Sequence, residues 1–414
     1  MLRSHILPEL LTSPSLSIDG LRAWSAGCST GEEAYTLAVI MHEQVGQNAS
    51  LRTRILGTDI NADALDVARK GVYRTWSFRG TEPSFRADYF TDTGDDRSRL
   101  IEDIHGMVTF DYLNLARDGY PSLLNGTVGL DLVVCRNVLM YFAPEILNAV
   151  IRKLVGSLRP GGWLIVSSVE VPLVRHIEEN LPLIAVAFSG ATAFKRRPFS
   201  WNQDPPVSQA IPLEPKPQSI KREAIATKAG EPTPMAKLEV RRPVDTGDLV
   251  ATAEGRYASG DYLAVVRAIM PIFEYRPGDE RVAELLVKSL SNLGRLEEAA
   301  RCCRRAIDAE RLNPTLRYLL AAVLLEQQRF DEAGEGLRQV VYADPDFILA
   351  HFLLGRLSAR RGRHKTAARH FRHTLALLAL VSGDQPVPHT DGMTAQRLAE
   401  IVRTNMRIAG ESDE

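Results

Sequence analysis

The sequence predicts two architectures in one chain: an α/β unit on a mostly parallel seven-stranded sheet with a reversed last strand, then an all-α unit of stacked helix pairs. Three observations carry this. Residues from about 20 to 197 alternate short β-branched apolar runs with helical patterns, as βαβ units do. Residues 183–196 read as a closing antiparallel hairpin, LIAVAF, Ser189-Gly190, ATAFKR. Beyond residue 248, glycines and apolar residues recur at a fixed period of 34 residues.

Taken in order, the candidate strands are 22–26, 54–58, 107–112, 131–135 and 163–168, followed by the hairpin. A reversed last strand after five parallel ones is characteristic of Rossmann-like methyltransferases rather than of dinucleotide dehydrogenases. From Pro198 to about Asp248, prolines recur among Gln, Glu, Lys and Thr. Proline density favours extended backbone, so the flanking units are expected to be tethered rather than fixed in one orientation. In the repeats, Gly260, Gly294 and Gly362 share one lattice, whose missing member is Gln328. Ala299, Ala333 and Ala367, preceded by Val265, form a second, and Ile269, Cys303, Leu337 and Phe371 a third. This is the tetratricopeptide spacing, two antiparallel helices per unit. The expected division is an α/β domain over 1–197 with a small β-subdomain at about 74–113, a linker over 198–247, repeats over 248–381 in four units, and a tail over 382–414 with room for one short helix.

With 414 residues, 45% hydrophobic and 24% charged, two or three domains are expected. A net charge of -1 gives no reason to expect nucleic acid or a membrane surface as the main partner. The four cysteines show neither CxxC spacing nor His pairing, so neither a metal site nor a disulfide framework is expected, and a reducing compartment fits. No run approaches the length of a membrane span, and MLRSHILPELL lacks the features of a secretory signal, so the expected location is cytoplasmic.

The first strand runs into Ala26-Gly27-Cys28-Ser29-Thr30-Gly31-Glu32-Glu33 and then an amphipathic helix, the ligand-binding corner of a doubly wound sheet. GxxxG differs from the GxGxxG whose middle glycine lets backbone approach a pyrophosphate, so phosphate-free S-adenosylmethionine fits better than NAD. The second strand ends at Asp59, where a carboxylate can accept both ribose hydroxyls. Helix capping is the other reading, although Asn61 already supplies a cap. Glu32 and Glu33 lie in a first helical turn, where negative charge is favoured in any case. Arg136 and Asn137 follow the buried end of the fourth strand, either at the ligand or satisfying loop carbonyls.

At these residues the sequence resembles a family. WSAGCSTGEEAYTLA at 24–38, GTDINADALDVARKGVY at 57–73 and VVCRNVLMYF at 133–142 are similar, in order and spacing, to blocks of the CheR-type chemoreceptor glutamate methyltransferases. The resemblance covers residues 1 to about 197. It implies that the Gly27–Gly31 turn, Glu33 and Asp59 hold the methionine and ribose parts of S-adenosylmethionine, and that Asn114 and Leu115 flank its adenine. Arg136 and Asn137 would line the same pocket, with Tyr141 beside the departing methyl group. It further implies a chemoreceptor-type signalling protein as substrate, receptor tails meeting the small β-subdomain, and a protein or peptide in the groove of the repeats. Because a glutamate side chain has a pKa of about 4.3, the accepting carboxylate is already ionised and needs no general base. The family's GHSE reads here as Ser167-Ser168-Val169-Glu170. The family's upstream helical segment, with its arginine, would precede MLRSHILPELL: either the true start lies upstream or part of the active site is lost, and for the chain as given the expectation is weak cofactor binding and poor transfer. Two alternatives stand beside the enzyme: a cofactor-binding scaffold whose repeats recruit partners, and a small-molecule methyltransferase.

Overall fold

The computed structural model describes residues 1–13, 20–45, 53–197 and 246–408, so the expected linker lies almost entirely outside the described residues. Among the described residues the first unit holds ten strands: β1 Leu21–Ala26, β2 Thr53–Asp59, β3 Val72–Arg74, β4 Phe90–Gly94, β5 Arg97–Leu100, β6 Val108–Tyr112, β7 Leu130–Cys135, β8 Leu158–Val166, β9 Leu183–Phe188 and β10 Ala191–Arg196. Seven form one sheet in the order β6-β2-β1-β7-β8-β10-β9, parallel except for β10, which runs antiparallel to both neighbours. Strands β1 and β7 are buried on both faces, which is why they read as unbroken apolar runs. The small sheet, β3-β5-β4, ends at Leu100 rather than near residue 113, because Val108–Tyr112 pairs in parallel with Thr53–Asp59.

Helices cover both faces. On one side lie α1 Leu7–Thr12, α2 Glu32–Val45, α3 Ala62–Lys70, α4 Pro83–Tyr89 and α5 Glu102–His105. Ile6, Leu7 and Leu10 are buried there with Met41 and Ile55, while Leu11 is only half-buried. On the other side, α6 Pro144–Ser157 and α7 Val171–Glu178 bury Ile151, Leu154 and Val174 against Trp24, Val133 and Phe194. Helix α3 begins at Asn61, whose side chain accepts from the amides of Asp63 and Ala64, and stops at Gly71, which takes a left-handed φ of 58°.

The repeats are four antiparallel pairs: α8 Thr246–Ala258 with α9 Tyr262–Tyr275, α10 Glu280–Asn292 with α11 Leu296–Ala309, α12 Pro314–Glu326 with α13 Phe330–Ala343, and α14 Ile348–Arg360 with α15 His364–Leu378. A further helix, α16 Ala395–Ile408, follows. Val265, Ala299, Ala333 and Ala367 are fully buried, as are Ile269, Leu337 and Phe371. The glycine lattice is a lattice of left-handed turns, and Gln328 adopts it with φ 58° although it has a side chain.

Tethering is not what the structure shows. Arg22 pairs with Glu326, Arg356 pairs with Asp111 and donates to the Leu124 carbonyl, and Arg397 forks onto Asp118 at 2.6 and 3.1 Å. Gly129 lies so close to Gly294 that a Cβ on it would meet the Gly294 Cα at 2.6 Å. The inner helices α10, α12 and α14 face the chain's own residues. His389 donates to Glu284 at 2.9 Å and stacks on Phe347, and Lys288 donates to Asp391 at 2.8 Å. Linker composition constrains only the linker; the docking rests on side chains far from it.

Candidate functional site

The glycine turn between β1 and α2 is shaped by three left-handed residues, Gly27, Ser29 and Gly31. At Gly27 a Cβ would come within 2.5 Å of Val138 Cγ2, so glycine is required both by conformation and by space. The amides of Gly27 and Cys28 both donate to the Thr58 carbonyl, at 2.8 and 2.9 Å, which fastens the turn to the end of β2. Asp59 completes the fastening. One carboxylate oxygen accepts the Ser29 amide and the other the Asn61 amide, each at 2.8 Å. Each oxygen keeps a free acceptor direction for a ligand hydroxyl.

Glu33 accepts from the Ser25 hydroxyl at 2.7 Å and lies 3.7 Å from the Arg136 guanidinium. Burial raises its pKa, and the Ser25 hydrogen bond and the Arg136 charge only partly offset this. Arg136 and Asn137 are exposed on the turn after β7, Asn137 with a left-handed φ of 59°. Tyr141 ends a short 3-10 turn and is 80% exposed.

Beyond β6, Asn114 donates its amide to Asp118 at 2.6 Å and accepts the amides of Ala116 and Arg117 through its side chain. The adjacent Leu115 is buried, and its carbonyl accepts the Tyr120 hydroxyl at 2.9 Å. The amide of Leu113 donates to the Asp59 carbonyl, tying this turn to the end of β2. All nine residues singled out by sequence therefore lie at or shortly after the carboxyl ends of β1, β2, β6 and β7, Glu33 in the first turn of α2. That edge is the ligand edge of an open α/β sheet.

Sequence reading assigned no role to Glu170. The structure buries it fully and makes it the hub of the β7 turn. Its carboxylate accepts the amides of Asn137, Val138 and Leu139 at 2.9, 2.7 and 2.8 Å, and the amide and hydroxyl of Ser167 at 3.0 and 2.5 Å. Burial alone would raise its pKa, but these hydrogen bonds outweigh burial and hold the carboxyl below the usual range. The signal was the Ser-x-x-Glu spacing at the end of β8, which is the spacing of a side chain folding back on local amides. Cys28 and Cys135 are buried beside the site, and burial pushes both thiols up, which suits packing residues rather than nucleophiles.

The charge of the pocket selects among cofactors. Glu32, Glu33 and Asp59 surround the glycine turn, so a pyrophosphate would be repelled there, whereas an ammonium or sulfonium is favoured. The strand order and the reversed β10 are those of a Rossmann-like methyltransferase fold. More particularly, residues 1–182 match the family described as CheR methyltransferase, SAM binding domain, and residues 293–359 match Tetratricopeptide repeat. The chain thus combines a CheR methyltransferase domain, whose cofactor is S-adenosylmethionine, with C-terminal tetratricopeptide repeats.

The chemotaxis protein methyltransferase of Vibrio parahaemolyticus serotype O3:K6 is 34% identical over 173 residues, 41% of this chain and 60% of that protein. The probable biofilm formation methyltransferase WspC of Pseudomonas aeruginosa is 27% identical over 349 residues, 84% of this chain and 74% of its own. Among solved structures, MamA from residue 41 to its end, from Desulfovibrio magneticus RS-1, covers 33% of this chain and 78% of its own, at 22% identity and a TM-score of 0.30. The chain spans about 60% of the length of the first of these relatives. No helix among the described residues is long and apolar enough to cross a membrane.

Proposed function

We propose that this chain methylates glutamate carboxylates of chemoreceptor-type signalling proteins, working in the cytoplasm and brought to its partners by the repeats. The observation that carries the reading is the convergence of Glu33, Asp59 and the Arg136–Asn137 turn at the carboxyl ends of three neighbouring strands, β2, β1 and β7. When bound, S-adenosylmethionine supplies an electrophilic methyl group on a sulfonium. In this assignment Asp59 holds the ribose hydroxyls, Glu33 the methionine ammonium, and the Asn114–Leu115 turn the adenine. Ser25 and Arg136 offset part of the burial that raises the Glu33 pKa, and Tyr141 stands where the methyl group and the incoming carboxylate meet. With an ionised carboxylate as acceptor, the chain's task is alignment and exclusion of water, a contribution of roughly 7–11 kcal/mol when complete.

The small sheet offers a surface for receptor tails. Trp76 is largely exposed there, with the Arg79 guanidinium 3.3 Å over its ring. A protein that takes the groove of the repeats must displace the segment around His389 and Asp391. Incubation with methyl-tritiated S-adenosylmethionine and purified receptor signalling fragments tests the proposal. The expected label is released by mild base as methanol, the signature of a carboxyl ester. Binding of S-adenosylhomocysteine without ester formation on any fragment would favour the scaffold, and base-stable label would refute glutamate as acceptor.

A further inference from the structure

The helix that follows the repeats meets the turn beyond β6 through one side chain. Arg397, two residues into α16, donates through Nε to one oxygen of Asp118 at 2.6 Å and through a terminal nitrogen to the other at 3.1 Å. Its remaining nitrogen meets Glu400 at 2.5 Å, and the guanidinium lies 5.3 Å from the centre of the Tyr112 ring. Asp118 is 2% exposed, and the same oxygen that takes the longer bond also accepts the Asn114 amide at 2.6 Å. The Asp118 amide returns a bond to the Asn114 carbonyl at 2.9 Å. A single guanidinium thus sets the carboxylate that closes the Asn114–Leu115 turn. A forked arginine fixes both position and plane of a carboxylate, which an ammonium cannot do.

The helix is packed through its buried Leu398 and Val402, and its start is fixed by a closed loop. Val387 donates to the Met393 carbonyl at 2.8 Å and Ala395 to the Gln385 carbonyl at 2.9 Å, so the loop's base launches the helix directly. Its tip is seated in the groove of the repeats. His389 bonds Glu284, Asp391 accepts from Lys288, and Thr390 is buried between them. Burial would raise the Glu284 pKa, but the bond to His389 and the Lys288 charge hold it down at about 2, so Glu284 is ionised across the neutral range.

We propose that Arg397 is a positioning residue of the cofactor site: through Asp118 it fixes the Asn114–Leu115 turn, and the groove-seated loop Gln385–Ala395 holds it there. The proposal rests on the assignment of that turn to the adenine. Its consequence is reciprocal: a protein that enters the groove lifts the loop and loosens the turn, and cofactor binding in turn tightens the loop.

The test uses the full chain with S-adenosylhomocysteine as probe, calorimetry for affinity and hydrogen exchange for the turn. Arg397→Ala is expected to weaken affinity about tenfold and to speed exchange over residues 113–118 in the ligand-free protein, while exchange in β7 stays as it was. Arg397→Lys keeps the charge but not the fork and should fall between, which also covers the case in which the alanine variant folds poorly. Lys288→Met, at the tip of the loop, should speed exchange over 113–118 without touching the site. Unchanged exchange over 113–118 in both Arg397 variants overturns the proposal. Unaltered exchange together with a wild-type chain that does not bind the probe would sink both readings, whereas faster exchange with no wild-type binding sinks the adenine assignment alone.

Discussion

Replacing Glu170 by Gln separates the charge of the hub from its shape. The amide fits the same space, so no cavity opens, but one of the two acceptor oxygens becomes a donor. Set with its oxygen toward Val138 and Leu139, the new amide nitrogen faces the amides of Asn137 and Ser167, which then lose their acceptor, part-buried at Asn137 and buried at Ser167. Each buried amide left unsatisfied costs roughly 1–3 kcal/mol, so Glu170→Gln should destabilise the α/β unit by about 2–5 kcal/mol. The sign with pH follows from the direction of the shift. Glu170 is held below the usual carboxylate range, so its contribution is complete above the unfolded pKa and is lost as pH falls through the lower folded value. At pH 7 the whole effect should be visible.

Urea unfolding at pH 7 measures the loss, and calorimetry with S-adenosylhomocysteine measures what the altered turn does to the pocket. Affinity should fall in the same variant, because Arg136 and Asn137 are carried by the turn that Glu170 organises. Unfolding within 0.5 kcal/mol of wild type, together with unchanged affinity, would show that the turn holds itself and that the hub is incidental.

Asp59→Asn removes an acceptor from the Ser29 or Asn61 amide as well as from the ligand, and should weaken S-adenosylhomocysteine binding by roughly 1–3 kcal/mol; unchanged calorimetry would remove the ribose assignment. Gln328→Gly should raise stability by roughly 0.5–1 kcal/mol, because the left-handed conformation costs a side-chain-bearing residue more than glycine loses in unfolded freedom. A lower unfolding midpoint would refute it. Around His351, whose ring nitrogen is 3.3 Å from that of His370, burial and the neighbouring charges lower both pKa values, His370 to about 4. Such groups take up protons on unfolding, so stability is full above about pH 6.5 and is lost as pH falls toward 4. Unfolding midpoints at pH 7.5 and 5.0 should differ in wild type and differ less in His370→Gln; equal differences in the two proteins would refute the assignment.

The fold was legible where physics writes a period into the chain. Strands buried on both faces read as apolar runs, and the reversal at Ser189-Gly190 followed from a short turn between two such runs. Helix pairs packed on identical neighbours repeat every 34 residues because each buries the same positions, Ala299, Ala333 and Ala367 among them. The candidate site was legible to the extent that charged residues break those runs: Asp59 and Arg136 stand out because charge follows a buried strand. Glu170 stood out less, since its partners are backbone amides, which carry no sequence signal of their own.

The docking of the two units had no such period to reveal it. Arg22 with Glu326, Asp111 with Arg356 and Asp118 with Arg397 are pairs of ordinary residue types separated by more than 240 positions, and each alone reads as a solvated charge. Even Arg356 gave no hint, although it shares a lattice with Lys288 and so lines the inner face of the repeats. Only the assembled superhelix turns both side chains inward, Lys288 onto Asp391 and Arg356 onto Asp111 and the Leu124 carbonyl. A groove that in isolation presents cations to an extended acidic ligand is here satisfied by the chain itself. The groove's chemistry is therefore readable from its present occupants: an external ligand must offer a carboxylate to Lys288 and an imidazole or other donor to Glu284, and must bind more tightly than a segment that is already tethered. That condition is what would make occupancy of the groove informative to the cofactor site rather than automatic.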